Sequence, residues 1–244
     1  MRPIKKLLIR MATPSFLLKA SDASIIVRHH YINENKLSRR AVLKERLKQV
    51  MAAEAHVIQK MAEEIDYDVL CRIVEIFCHV KENSKKVILA GCGTAGMAAK
   101  RISHTLCVVE IPSFFLSPAD SVHGGLGAMQ KGDVLVLLSK SGNTQEILNY
   151  IPAAKQKGLT IIAVTENADS KLGKNADITL KIAVEREPDK WGIISSASTL
   201  AFISAFDAIA FSVMEKTGYT KEEFYLIHTG GGAGDILRTE GLQS

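Results

Sequence analysis

Four small polar residues fall within six positions of the segment SKSGNTQE: Ser139, Ser141, Asn143 and Thr144, set around Gly142. They follow the apolar run DVLVLLS and precede a stretch with helical periodicity, so they occupy a strand-to-helix turn. Such a turn offers hydroxyls, backbone N–H groups and the positive end of a helix, which together suit a phosphate monoester dianion. A plain helix cap needs one such side chain, and this segment holds four. No G-K-[ST] tripeptide appears, so an ATP-cleaving P-loop is not indicated, and a sugar phosphate is the simpler ligand. A second cluster, SSAST (195–199), opens a long apolar stretch and either caps a helix or faces the same ligand, with Ser198 as its candidate contact.

A glycine loop, GCGTAG (91–96), lies two strands earlier. Its spacing G-x-G-x-x-G also occurs in dinucleotide sites, which need an acid at the carboxyl end of the following strand to hold a ribose. Glu110 has about the right separation but precedes PSFFLS, at the amino end. The glycines therefore read as backbone that must approach another group closely, with Gly93 and Thr94 as candidate ligand contacts, and no nucleotide cofactor is expected. No metal is expected either; His29 and His30 are adjacent rather than at ligand spacing, and read as a solvated pair.

These loops must be carried by a sheet. Short apolar runs at 86–91, 112–117, 133–139, 159–165 and 178–184 alternate with helical stretches at 95–107, 144–157, 170–175 and 198–217, and a short helix is expected at 221–227. Near-continuous apolar strands separated by helices predict a five-stranded parallel sheet with helices on both faces, an α/β fold of flavodoxin-like type. Ligands of such sheets bind beyond the carboxyl ends of the strands. N-terminal helices precede it, at 38–65, with Leu43, Leu47, Met51, Ala55, Ile58 and Met61 on one face, and at 67–80, with Leu70, Ile73, Val74 and Phe77 facing inward.

The 244 residues are 47% hydrophobic, enough for a sizeable core, and no apolar run is read as reaching the roughly 18 residues of a membrane helix. A soluble cytoplasmic chain, without a membrane partner, is the expectation. Cys71, Cys78, Cys92 and Cys107 show no C-x-x-C spacing and read as reduced core thiols. The net charge of +5 is unevenly placed: residues 1–47 hold eleven Lys/Arg against three Asp/Glu, and the rest holds 20 against 23. Residues 1–37 are therefore taken as a basic extension and 38–244 as the ligand-binding domain. The extension has no recognition helix or stacking motif, so no nucleic-acid partner is expected. It lacks the apolar core of a secretory signal; a transit peptide, or a start at Met11 or Met51, stays open.

The segment LLSKSGNTQEI resembles the S-x-S-G-x-[ST]-x-E signature of the sugar isomerase (SIS) domain. From about residue 48 to 238, the order of PSFFLSPADSVHGGLG, SKSGNTQEIL, SSAST and FYLIHTGGGAG is similar to that of arabinose-5-phosphate isomerases. Those enzymes carry H-G-x-L-G after the second strand and H-P-G-G near the domain end. Many add CBS domains, so this chain resembles the single-domain form. The resemblance implies aldose–ketose isomerisation, D-ribulose 5-phosphate to D-arabinose 5-phosphate, a role in Kdo and capsule synthesis, and a homo-oligomer, dimer or tetramer. A non-catalytic SIS module that senses a sugar phosphate is the alternative.

Isomerisation moves a proton between neighbouring carbons through an enediol, which requires a base, an oxygen acid/base and a polar pocket. The resemblance implies Glu146 and His228 for proton transfer or ring opening, with Glu187 and His123 positioning the sugar. Each also has a plain reading: Glu146 as a helix-dipole partner, Glu187 as a solvated loop charge, and the two histidines as turn residues beside glycines. The family writes its first loop G-x-G-K-S-G, whereas Thr94 stands at the lysine position here; Lys100 and Lys140 are candidate substitutes, neither at the matching position. Thr229 stands where the last motif carries proline.

Overall fold

The computed structural model describes the backbone of residues 20–240 and the side chains from residue 39 onward. The N-terminal arm before residue 20, with Met11, lies outside the described residues, as do the side chains of His29 and His30. The chain divides into two compact units, up to Met51 and from Ala52 onward.

The first unit contributes the start of helix α1 (Ala20–Glu64), which begins well before the expected position 38. Its Leu43, Leu47 and Met51 are exposed. In the second unit the core-packed residues of α1 are Val57 and Met61, followed by Ile65 just past its end, spaced four apart.

The second unit is built on five parallel strands: β1 (Val87–Gly91), β2 (Ser113–Phe115), β3 (Val134–Leu138), β4 (Thr160–Thr165) and β5 (Ile178–Lys181). Their order is β2-β1-β3-β4-β5. One register row crosses all of them, Phe115, Leu89, Val136, Ile162 and Ile178. Alternate residues face opposite sides, as the two-residue period of a strand requires. Val87, Leu89, Val136 and Ile162 meet α2 (Tyr67–Glu82), α3 (Gly93–Val108) and α7 (Ala197–Lys216) through Ile73, Phe77, Ile102, Leu106, Phe202 and Phe206. Ile88, Ala90, Leu135, Leu137 and Ile161 meet Ile147, Tyr150, Ile151 and Ala154 on the other side. The remaining helices are α4 (Pro118–Ser121), α5 (Gln145–Leu148), α6 (Ile151–Lys157), α8 (Lys221–Ile227) and α9 (Gly231–Thr239).

Several boundaries differ from the sequence expectation for physical reasons. The helix expected over 144–157 is two helices, because Pro152 has no N–H to give back to the preceding turn. The stretch at 170–175 forms only a 3-10 turn, Gly173–Asn175. α9 was hidden by its three glycines, which disfavour a helix interior but are tolerated in its first turns. Of the four cysteines only Cys78 is buried; Cys71 and Cys107 are exposed and Cys92 is intermediate, so the core reading holds for Cys78 alone. α7 is, by length and composition, apolar enough to cross a membrane, which corrects the reading that no stretch reaches that length. Half of its apolar window is buried, and Asp207 in its middle makes two hydrogen bonds of 3.1 Å to Arg101 on α3, an arrangement suited to a core helix.

The first βα turn explains its own glycines. A Cβ at Gly96 would lie 2.6 Å from the Gly91 carbonyl oxygen, and one at Gly91 would lie 2.7 Å from the Ala95 backbone. α3 therefore starts directly against the end of β1. Gly96→Ala must push strand and helix apart; the expected loss is about 1–3 kcal/mol of unfolding free energy, read from chemical denaturation.

Candidate functional site

The strand order reverses between β1 and β3: β1 leads to β2 on one side, and β3 leads to β4 on the other. The loops leaving β1 and β3 diverge there and open a crevice at the carboxyl edge. A cavity of about 280 Å³ occupies it. Cys92, Thr94 and Ala95 line it from the β1–α3 turn, Ser139, Lys140, Ser141 and Thr144 from the β3–α5 turn, Glu166 from the end of β4, and Ser195 from the approach to α7.

The two sides of the crevice offer different donors. Cys92 is the N-cap of the 16-residue α3 and makes no side-chain capping bond, so the N–H groups of that first turn are not claimed by a cap side chain. They carry the positive end of a full-length helix dipole to the cavity wall. Opposite, Ser139 Oγ lies 2.9 Å from Thr144 Oγ1 and accepts the Gly142 N–H at 3.2 Å. Ser141 Oγ accepts the Asn143 N–H at 3.3 Å. Gly142 takes φ +66°, and a Cβ there would fall 2.0 Å from Ser170 Oγ, so no other residue fits this turn. Asn143 is directed into the loop itself: its amide donates to the Ser141 carbonyl at 3.1 Å and its Oδ1 accepts the Lys171 N–H at 3.2 Å. It fastens the turn and does not line the cavity.

Glu187 is 1% exposed and both of its carboxylate oxygens are engaged. Oε1 accepts from Lys140 Nζ at 2.7 Å and from the Ser198 hydroxyl. Oε2 accepts the N–H groups of Ser196, Ala197 and Ser198 at 3.1, 3.0 and 3.4 Å. The carboxylate thus caps α7 from outside the helix and corrects the reading of Glu187 as a solvated charge. Ser198, 2% exposed, is consumed by the same network rather than facing the cavity. Burial pushes the Glu187 carboxyl up, but hydrogen bonds from Lys140, Ser198 and the Ser196 N–H outweigh it and leave the pKa below its ordinary value. Two residues on, Asp189 accepts the N–H groups of Trp191, Gly192, Ile193 and Ile194, so the loop that delivers Ser195 is pinned at two carboxylates.

The other residues singled out by sequence are dispersed. Glu146 is exposed in the first turn of α5, with its charge close enough to Cys92 to add to the effect of burial in raising that thiol. Gly93 opens α3 with φ +55° but does not line the cavity. His123 is exposed in the turn after α4, its N–H bonded to the Asp120 carbonyl at 3.1 Å. His228 ends α8, stacked on Phe224 at 5.0 Å, with a buried Nδ1 that has no partner among the described residues. α7 carries the chain away from Ser195 to a last turn where Lys216 pairs with Glu75, and His228 follows beyond it, so it does not line this crevice. Thr94, Ser139, Ser141 and Thr144 are brought together; His123 and His228 are not. Of the SSAST cluster, Ser195 lines the cavity; Cys92 and Glu166 were missed, although each sits where a strand-end rule would look, Glu166 directly after β4.

The fold and crevice define an α/β protein with a small polar crevice at the carboxyl edge of its parallel sheet. The SIS domain family profile matches residues 82–212. Arabinose 5-phosphate isomerase KpsF of Escherichia coli O6:H1 is 33% identical over 193 residues, 79% of this chain and 58% of the relative. Arabinose 5-phosphate isomerase KdsD of Pseudomonas aeruginosa is 37% identical over 152 residues, 62% of this chain and 47% of the relative. The chain thus spans less than two thirds of the length of these relatives. Among solved structures, a Listeria monocytogenes protein described provisionally as a sugar-phosphate isomerase superposes with a TM-score of 0.75 at 44% identity, covering 77% of this chain and 97% of that one. An E. coli CFT073 protein in complex with arabinose 5-phosphate superposes with a TM-score of 0.73 at 29% identity, covering 77% and 98%. The chain belongs to the SIS domain family.

Glu187→Ala leaves three α7 N–H groups and the Lys140 ammonium without their acceptor, and is expected to cost roughly 3 kcal/mol of stability at neutral pH. Because the folded-state pKa is depressed, the stabilisation from the carboxylate is present above its unfolded pKa, about 4.3, and is lost as pH falls through the folded value. Denaturation of wild type and variant from pH 7 to pH 3 should show the gap narrowing on acidification.

Proposed function

We propose that this protein is a sugar-phosphate aldose–ketose isomerase that interconverts D-ribulose 5-phosphate and D-arabinose 5-phosphate, feeding Kdo and capsule synthesis as a cytoplasmic homo-oligomer. The observation that carries the reading is the crevice in which the α3 N-terminus, without a capping side chain, faces the Ser139, Ser141 and Thr144 hydroxyls. Backbone donors and hydroxyls converging on one small space suit a phosphate ester. The names of the KpsF and KdsD relatives support the sugar and the reaction. Residues 38–244 are taken as the catalytic domain and 1–37 as a basic extension.

In this reading the phosphate sits between the first and third loops, with Thr94 and the first-turn N–H groups of α3 on one side and the turn braced by Asn143 on the other. The sugar extends toward Ser195 and Glu166. Base-catalysed removal of the proton from the carbon beside the carbonyl gives an enediol; return of a proton to the neighbouring carbon, with exchange on the two oxygens, completes the isomerisation. Glu146, exposed in the first turn of α5 beside the crevice, is assigned the carbon proton. His228 and His123 are assigned to ring opening and sugar positioning by resemblance alone, since neither lines the crevice of this chain. Glu187, with both oxygens engaged, holds the site together rather than shuttling a proton. The neutral Thr94 and the lack of a crevice-lining imidazole among the described residues favour the second reading, an SIS module that binds a sugar phosphate without turning it over.

Incubation with ribulose 5-phosphate separates the two. The enzyme reading expects arabinose 5-phosphate to form, and Glu146→Gln to lower kcat by about 10²–10⁴-fold. Sugar-phosphate binding without turnover by wild type establishes the sensor; turnover that Glu146→Gln leaves intact removes Glu146 from the proton transfer.

A further inference from the structure

A dianion entering this crevice meets an electrostatic obstacle. Glu166 lines the cavity, Glu146 lies near Cys92 at its edge, and Glu187 sits behind it. Hydroxyls and one helix terminus must work against these carboxylates, and a phosphate ester with about two negative charges is costly to desolvate without a cation. Among the described residues that line the cavity, Lys140 is the one that carries positive charge. Lys100 is directed elsewhere, its ammonium 5.0 Å from the Phe115 ring centre.

Lys140 is also held where it can serve. Its ammonium has three protons, and Glu187 Oε1 takes one at 2.7 Å. Glu187 has four further donors, the Ser198 hydroxyl and the N–H groups of Ser196, Ala197 and Ser198, so it does not need the whole of the lysine charge. The Lys140 backbone is fixed as well, its carbonyl accepting the Glu166 N–H at 3.0 Å and the Thr165 hydroxyl at 3.0 Å. Lys140 lines the cavity and its side chain is 29% exposed, so it is not sealed inside the Glu187 network. A flexible lysine is thereby anchored at both ends, in the same turn as the cavity-lining Ser139 and Ser141.

We propose that Lys140 is the cation that neutralises the ligand phosphate in this crevice, with the buried Glu187 fixing where its ammonium points. The inference rests on the sugar-phosphate reading and names the group that supplies its charge. The test is calorimetric binding of arabinose 5-phosphate, and of inorganic phosphate as a second probe, to wild type, Lys140→Arg and Lys140→Met at low and high ionic strength. Lys140→Met should weaken binding about tenfold or more and flatten its salt dependence, while Lys140→Arg keeps both close to wild type. Where Lys140→Met is poorly folded because Glu187 is left unbalanced, the double variant Lys140→Met with Glu187→Gln removes both charges and takes its place. Binding by either charge-removing variant with wild-type affinity and salt slope overturns the proposal while the sugar-phosphate reading stands. Wild type that binds neither probe overturns that reading itself.

Discussion

A single buried carboxylate, Glu187, ties its own loop to the turn after β3, 47 residues earlier, and to the start of α7. It receives the Lys140 ammonium from the turn after β3, the Ser198 hydroxyl, and the N–H groups that open α7. A charge this deeply buried is tolerated only when its hydrogen-bonding capacity is filled, and here five donors fill it. The same contacts decide which helix end is available. The dipole of α7 is already answered by Glu187, whereas α3 opens at Cys92 with no capping side chain. Of these two helix starts, the one whose N–H groups no cap side chain claims is therefore that of α3.

The sheet sets the scale on which this happens. The reversal of strand order between β1 and β3 separates two loops that would otherwise pack together, and close backbone approach at Gly91 and Gly96 keeps α3 tight against β1. On the other side, Gly142 lets the serine loop pack tightly against Ser170. Glycine serves two different needs in the two loops: proximity in the first and a left-handed bend in the second.

Much of this was legible in the sequence. Strands with apolar residues on both faces, such as VLVLL at 134–138, announce a covered parallel sheet, and four small polar residues around Gly142 announce the turn after β3. The parts that were not legible depend on burial and direction. Glu187 lies in a run of charged and polar letters, EREPDK, and nothing local says that it folds inward to cap a helix ten residues later. Asn143 and Ser198 belong to polar clusters, yet one braces a loop and the other serves Glu187. His123 and His228 stand in motifs of the expected type, but no sequence pattern reports whether a loop reaches its own crevice. Glu166 follows β4 directly and was overlooked because a lone acid in a polar loop carries no spacing signal.

Placing the ligand phosphate between the α3 N-terminus and the Ser139–Thr144 turn ties these features together. A crystal structure of the protein soaked with arabinose 5-phosphate locates that group outright. Phosphate density is expected within hydrogen-bonding distance of the backbone N–H groups at the start of α3, of the Ser139, Ser141 or Thr144 hydroxyls, and of Lys140 Nζ. Sugar-phosphate density elsewhere, such as the groove between Val57 and Met61 of α1 and Val184, with this crevice holding only solvent, would show the placement to be wrong.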